Sequence, residues 1–279
     1  MECNKRIEAA VKTAGLLAVL AGVILTGCRA SRGDAGAEMA GKKDAKLESA
    51  AQTISETAPK EQVVVQDGTI FIENQKLSGS EEIDFQALEA VNPDIVGWIW
   101  IPGTSIDYPI VQAADNEAYM KTGVDGEPSS GGAVFLDYEC QRDLSGPHTI
   151  IYGHNMKNGS MFHDVVRYKE KDYFKEHQYG VLYTPEETIY LKMVSVYYGE
   201  ANPLYRKTEF QTEEEFKEFY QAMLTACSYA ERTEEVPSTL FTLITCSYEF
   251  DNARTFLHAV RMSDEEAQAV LTSDIVVRE

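Results

Sequence analysis

Cys246 closes the apolar run Thr242-Leu243-Ile244-Thr245, and Arg254 follows eight residues later at the head of a second strand-like run. Upstream, Thr149-Ile150-Ile151-Tyr152 leads into Gly153-His154, which puts an imidazole at the end of another strand. A thiol, an imidazole and a guanidinium are the set that an acyl-transferring cysteine enzyme needs. A free thiol titrates near about 8.5, so at neutral pH it needs a base or a positive neighbour to become a nucleophile. His154 can accept that proton and return it to a departing amine. Arg254 cannot deprotonate and is suited instead to hold a developing oxyanion or a substrate backbone. Each residue also has a plainer reading: Cys246 as a small buried hydrophobe, His154 as a structural histidine, Arg254 as a surface ion-pair partner of Glu249 or Asp251.

The elements that must carry these side chains are mostly strands. Trp98 and Trp100 alternate with Ile99 and Ile101, Pro102-Gly103 marks a turn, and Tyr108-Pro109-Ile110-Val111 starts again. Ala133–Leu136, Thr149–Tyr152, Gly180–Tyr183, Ile189–Tyr198, Leu240–Thr245 and Phe256–Val260 read as further strands. About eight short strands with few long helices between them predict a mainly β fold, a closed or nearly closed barrel. Ile83, Phe85, Leu88 and Val91 predict a helix ended by Asn92-Pro93. A long helix starts at Thr212, an N-cap with Glu215 three residues on, and carries Phe216, Phe219, Tyr220, Met223 and Leu224 as a core-facing stripe. Gln62–Val65 and Thr69–Ile72, joined by an Asp-Gly turn, predict a small strand pair ahead of the main domain.

The formal net charge is −20, which opposes any nucleic-acid partner through phosphate repulsion. Lys5, Arg6 and Lys12 precede an uncharged stretch, Thr13 to Gly27, that reads as the apolar part of a signal segment and is short for a membrane-spanning helix. Leu25-Thr26-Gly27-Cys28 resembles a lipobox, which makes Cys28 a lipidation candidate; an uncleaved signal anchor is the competing reading. Both readings put the domain on the extracytoplasmic face of the membrane, held by the N-terminus. Residues 28–61, poor in large apolar side chains, read as a flexible tether, and 62–279 as the catalytic domain. Beyond Cys3 and Cys28, the cysteines are Cys140, Cys227 and Cys246. An odd number in an exported protein flags a reactive thiol, while Cys140 and Cys227 could pair or stay as buried thiols. No cysteine pair has metal-ligand spacing, and the acidic runs Glu213–Glu215 and Asp264–Glu266 fit helix N-termini, so neither metal nor cofactor is expected. His148, His163, His177 and His258 read as structural or exposed.

From about Ile83 to Met262 the chain resembles a class B sortase, a cysteine transpeptidase of the Gram-positive cell surface. The resemblance rests on Asn92-Pro-Asp-Ile-Val-Gly-Trp98, Ile101-Pro-Gly-Thr-Ser-Ile-Asp-Tyr-Pro-Ile-Val111, Asp115-Asn116, Phe135-Leu-Asp137, Ile151-Tyr-Gly-His-Asn-Met156, Gly159-Ser-Met-Phe162, Thr242-Leu-Ile-Thr-Cys246 and Arg254, in that order. It implies an eight-stranded sortase-type barrel with an N-terminal helix and a long helix inserted before the nucleophile strand. It also implies catalysis by His154, Cys246 and Arg254, and a substrate groove that includes Asn116 and Tyr152. The implied partners are surface proteins bearing a sorting signal of Asn-Pro-x-Thr type or a variant, and an amine of the peptidoglycan precursor. Ile244 departs from the pattern, since class B members often carry Ser or Thr there; the lipobox is a second departure. The order His154 then Cys246 differs from papain-like hydrolases, where the cysteine usually comes first. A secreted cysteine peptidase acting by hydrolysis and a non-catalytic surface lipoprotein are the alternative functions.

Overall fold

The computed structural model describes residues 83–201, 203–227, 229–231 and 236–272, together with the backbone of 63–66 and 69–72. The signal segment, Cys28 and the tether lie outside the described residues. β1 (Val63–Gln66) and β2 (Thr69–Ile72) form the expected antiparallel pair. Helix α1 (Phe85–Val91) is capped by Asp84, whose carboxylate accepts the Ala87 N–H at 3.0 Å, and it stops at Asn92 as the following proline dictates.

The barrel strands are β3 (Ile95–Trp100), β4 (Asp107–Val111), β5 (Val134–Leu136), β6 (His148–Tyr152), β7 (Tyr179–Tyr183), β8 (Thr188–Glu200), β10 (Leu240–Cys246) and β11 (Ala253–Arg261). They run in the order β11-β10-β6-β5-β4-β3-β7-β8, and β11 pairs back onto β8 to close the ring. The two-residue strand β9 (Tyr229–Ala230) pairs with Ser195 and Val196 of the long β8. The fold is therefore a mainly β, closed eight-stranded barrel, as the strand count predicts. Most of its strands show near-continuous burial, because helices and loops cover their outer faces, while β8 alternates over Thr188–Met193; Ile99, Ile151, Leu182, Leu243 and Leu257 are all fully buried.

Between β6 and β7 a 3-10 helix (His163–Lys169) and α2 (Lys171–Glu176) cross the barrel, elements too short for a periodic signal. Between β8 and β10 come a second 3-10 turn (Pro203–Arg206) and the long helix α3 (Glu213–Ala226). Thr212 caps α3 by accepting the Glu215 N–H at 3.1 Å, and the Glu215 carboxylate reaches Gln211 N–H and Lys207. Of the predicted stripe, Phe216, Phe219, Tyr220 and Met223 are buried and Leu224 is half-buried against the same core, with Phe219 5.4 Å from the His148 ring. Helix α4 (Asp264–Thr272) follows β11, with its acidic residues in the first turn.

A polar string crosses this apolar wall. His148 on β6 bonds the Lys207 carbonyl through Nδ1 (2.8 Å) and Thr242 Oγ1 on β10 through Nε2 (2.7 Å). Thr242 Oγ1 also meets His258 Nδ1 on β11 at 2.9 Å. A carbonyl only accepts, so His148 carries its proton on Nδ1, Thr242 donates to Nε2, and His258 donates from Nδ1. Burial lowers both imidazoles, His148 to about 4 and His258 to about 3, the latter helped by repulsion from His148. Unfolded histidines titrate near about 6.5. Above that pH the pair gives stability no pH dependence; below it the unfolded chain takes up protons that the native state refuses. Stability should fall from about pH 6.5 to about pH 4 by up to about 1.4 kcal/mol per pH unit per histidine. Urea unfolding followed by tryptophan fluorescence should show this slope. His258→Asn, which keeps a donor for Thr242 but does not titrate, should reduce it by about one proton.

Candidate active site

β6 and β10 pair in parallel, with Tyr152 opposite Ile244, so both strands deliver their C-terminal ends to the same rim. His154 leaves β6 there and Cys246 ends β10. β11 returns antiparallel with Arg254 directly opposite Cys246. These three side chains line one cleft of about 280 Å³, which Asn116, Tyr152 and Arg206 also line. Gly153 is required just before the histidine: a Cβ there would lie 2.6 Å from the ring of Phe162, which is fully buried and has no room to retreat.

The hydrogen bonds assign roles to single atoms. His154 Nε2 lies 2.7 Å from the Met120 carbonyl, so that nitrogen holds a proton and Nδ1 is the one free to take another. Arg254 does not pair with Glu249, which is taken by Lys169; its Nη1 donates to the Ala253 carbonyl at 3.0 Å. That carbonyl also receives the Ser247 N–H at 2.9 Å. The amide after Cys246 is thus already spent within the β10–β11 turn, and the guanidinium is the cleft donor that can be redirected.

The opposite wall hangs on Asp137, a fully buried carboxylate just after β5. Its Oδ2 accepts from Tyr152 O–H (2.7 Å), Asn116 Nδ2 (3.0 Å) and Arg206 Nη2 (3.1 Å), and its Oδ1 from the Glu139 N–H (3.0 Å). Asn116 Oδ1 in turn accepts the Tyr138 N–H at 3.1 Å. Burial and the adjacent Asp137 charge push the Tyr152 phenol far above its ordinary value, so Tyr152 stays a donor and cannot serve as a base. The Arg206 guanidinium lies over the Tyr152 ring, 5.8 Å from its centre.

Residues 99–262 match the family profile described as Sortase domain. The chain is 32% identical over 176 residues to sortase B of Listeria monocytogenes, covering 63% of this chain and 72% of that protein. The crystal structure of Clostridium perfringens sortase B superposes with a TM-score of 0.61 at 30% identity, over 64% of this chain and all of that one. A Bacillus anthracis protein similar to sortase B gives 0.59 at 31% identity, over 82% and 100% of the two chains. The chain belongs to the sortase family, class B. It is a cysteine transpeptidase of the cell-wall sorting kind.

In this sortase the structure brings all five residues nominated for the domain, Asn116, Tyr152, His154, Cys246 and Arg254, to one cleft; Cys28 lies outside the described residues. Cys140, Cys227 and Cys246 are thiols, and Cys140 and Cys227 do not pair with each other. Cys140 is buried, with its thiol pushed up to about 12 by burial, and Cys227 donates to the Met223 carbonyl at 3.1 Å. Ile244 is buried and lines the cleft with carbon. Two residues that build the groove wall were missed, one lining it and one buried behind it. Asp137 stood in a matching motif, but a hub carboxylate looks like any other Asp in sequence; Arg206 lies 69 residues from Asp137 and carried no signal. Asp137→Ala would leave Tyr152 and Arg206 without their acceptor. It should cost about 2 kcal/mol in urea unfolding, with Asp137→Asn, which keeps an acceptor for Tyr152, costing less.

Proposed function

We propose that this sortase cleaves a C-terminal sorting signal after a Thr, in an Asn-Pro-x-Thr type sequence or a Ser-Pro or Pro-Pro variant, and joins the protein to an amine of the peptidoglycan precursor. The observation that carries this reading is the convergence of His154, Cys246 and Arg254 on one cleft from three consecutive barrel strands. The Cys246 thiol passes its proton to His154 Nδ1, and sulfur attacks the Thr carbonyl carbon. Arg254 leaves the Ala253 carbonyl to donate to the oxyanion. Collapse breaks the peptide bond as Nδ1–H protonates the leaving amine, giving a thioester. An incoming amine then attacks the thioester, gives up a proton to Nδ1 and expels the thiolate, which recovers its proton. The chain's negative charge favours approach of a cationic amine, an effect that salt screens.

Asp137 contributes by holding Tyr152, Asn116 and Arg206 as a fixed wall, so substrate meets a surface that needs no ordering. We further propose that the domain works outside the cell membrane, anchored by the N-terminal segment, with Cys28 as the lipid attachment point or the apolar stretch as an uncleaved anchor.

The full chain in detergent should cleave a quenched sorting-signal peptide and, with an added amine, form the transfer product by mass spectrometry. Cys246→Ala should lower turnover more than about a thousandfold. Equal turnover by Cys246→Ala would sink the reading, and release of acid alone at saturating amine would favour a hydrolase. For the anchor, cells fed a labelled fatty acid should yield labelled protein that Cys28→Ala abolishes; absence of label in the parent leaves the uncleaved anchor.

A further inference from the structure

The β6–β10 ladder does not stop where its backbones part. Its last backbone rung is the Gly153 N–H to the Ile244 carbonyl at 3.1 Å. The next two groups in line are the Gly153 carbonyl and, two residues after Ile244, the Cys246 carbonyl. Both are satisfied by side chains. Thr245 Oγ1 donates to the Gly153 carbonyl at 2.7 Å, and Asn155 Nδ2 donates to the Cys246 carbonyl at 2.9 Å. In a continued parallel ladder the Cys246 carbonyl would take the backbone N–H of residue 155; the side-chain amide of that same residue stands in for it. His154 sits between the two substitute rungs, released from strand geometry while its neighbours remain tied to β10.

Asn155 is itself held. His163, at the start of the 3-10 helix, meets Asn155 Oδ1 through Nδ1 at 2.9 Å. The oxygen only accepts, so Nδ1 carries a proton, and that bond fixes the amide with its nitrogen toward Cys246. The Asn155 carbonyl accepts from Tyr248 O–H at 3.2 Å, and Asn155 bridges to Met161. The Phe162 N–H holds the His154 carbonyl at 2.9 Å.

We propose that Asn155, oriented by His163, is a positioning residue that sets the spacing of Cys246 and His154. The nucleophile is the last residue of its strand, and its carbonyl would otherwise have no partner on the β6 side. Without the Asn155 amide, Cys246 is free to drift from the imidazole, and acyl transfer is sensitive to displacements below about 1 Å. The role deepens the transpeptidase reading and rests on Cys246 as nucleophile and His154 as base.

The test uses the full chain in detergent, with steady-state cleavage of a sorting-signal peptide and the alkylation rate of Cys246 by iodoacetamide, read by mass spectrometry on the peptide that carries it. Asn155→Ala should lower kcat about tenfold while KM stays within about twofold, and should slow alkylation in parallel. His163→Ala should do the same. His163→Asn, whose Nδ2 can take the place of Nδ1, should recover most of the loss. The double variant Asn155→Ala with His163→Ala should be no worse than Asn155→Ala alone, since one bond acts through the other. Unchanged kcat and alkylation in folded Asn155→Ala overturn the proposal. So do fully additive losses, or His163→Asn behaving like His163→Ala. If Asn155→Ala does not fold by circular dichroism, the two His163 variants decide. A parent that fails to turn over any sorting peptide defeats the transpeptidase reading, whereas the alkylation rates still report on the Asn155 bond.

Discussion

Everything in this active site depends on the parallel pairing of β6 with β10. Antiparallel neighbours would send His154 and Cys246 to opposite rims of the barrel; parallel neighbours in the observed register send them to the same one. The two strands lie far apart in the chain, so parallel pairing needs a long crossover. The intervening segment contains α2, β7, β8 and α3, of which β7 and β8 join the barrel wall itself. Closure through β11 and β8 then fixes the last member, because β11 must run antiparallel to both neighbours and brings Arg254 to the level of Cys246.

The site separates two kinds of polar chemistry. On the reactive side, His154 and Arg254 spend part of their hydrogen-bonding capacity on backbone carbonyls, which orients them without neutralising them. On the wall side, Asp137 and Arg206 form an ion pair with one partner fully buried and the other 41% exposed. Such a half-buried pair contributes little net stability through its charges alone. Its effect is geometric: one carboxylate with four donors fixes three cleft side chains and the turn after β5. Of the two guanidinium groups that line the cleft, Arg206 is thus paired with a carboxylate, whereas Arg254 donates to a backbone carbonyl.

Much of this was legible in sequence, and the parts that were not share a physical reason. The strands announce themselves because each is an apolar run bounded by turn residues, and α3 because its aromatic stripe repeats at helical spacing behind an N-cap. His154, Cys246 and Arg254 are legible because their types are reactive and they stand at element ends. Asn155 stood in the Ile151–Met156 motif, but a side chain that mimics a backbone rung has no sequence signature of its own. Asp137 and Arg206 act through partners many residues away, and pairings of that range are settled by tertiary packing; His163 meets Asn155 eight residues back only because the chain folds over on itself after β6. The 3-10 helix and α2 are too short to show a period. His148 and His258 could be read as structural, but their joint contact with Thr242 follows only from the strand order β6-β10-β11.

That shared contact ties the barrel interior to the cleft. Arg206 and Lys207 are adjacent in the chain, and each is held by a different part of the barrel: Arg206 by the buried Asp137 after β5, Lys207 through its carbonyl by His148 on β6. The same Lys207 meets Glu215 in the first turn of α3 with its ammonium group. The segment that carries Arg206 into the cleft is thus fastened at consecutive residues to two barrel strands and to the helix that follows it. A turn fixed at so many points loses little further entropy when substrate arrives. A loop insertion between β8 and β10 can then serve as a rigid cleft wall, because its register is set by the same β6 strand that delivers His154.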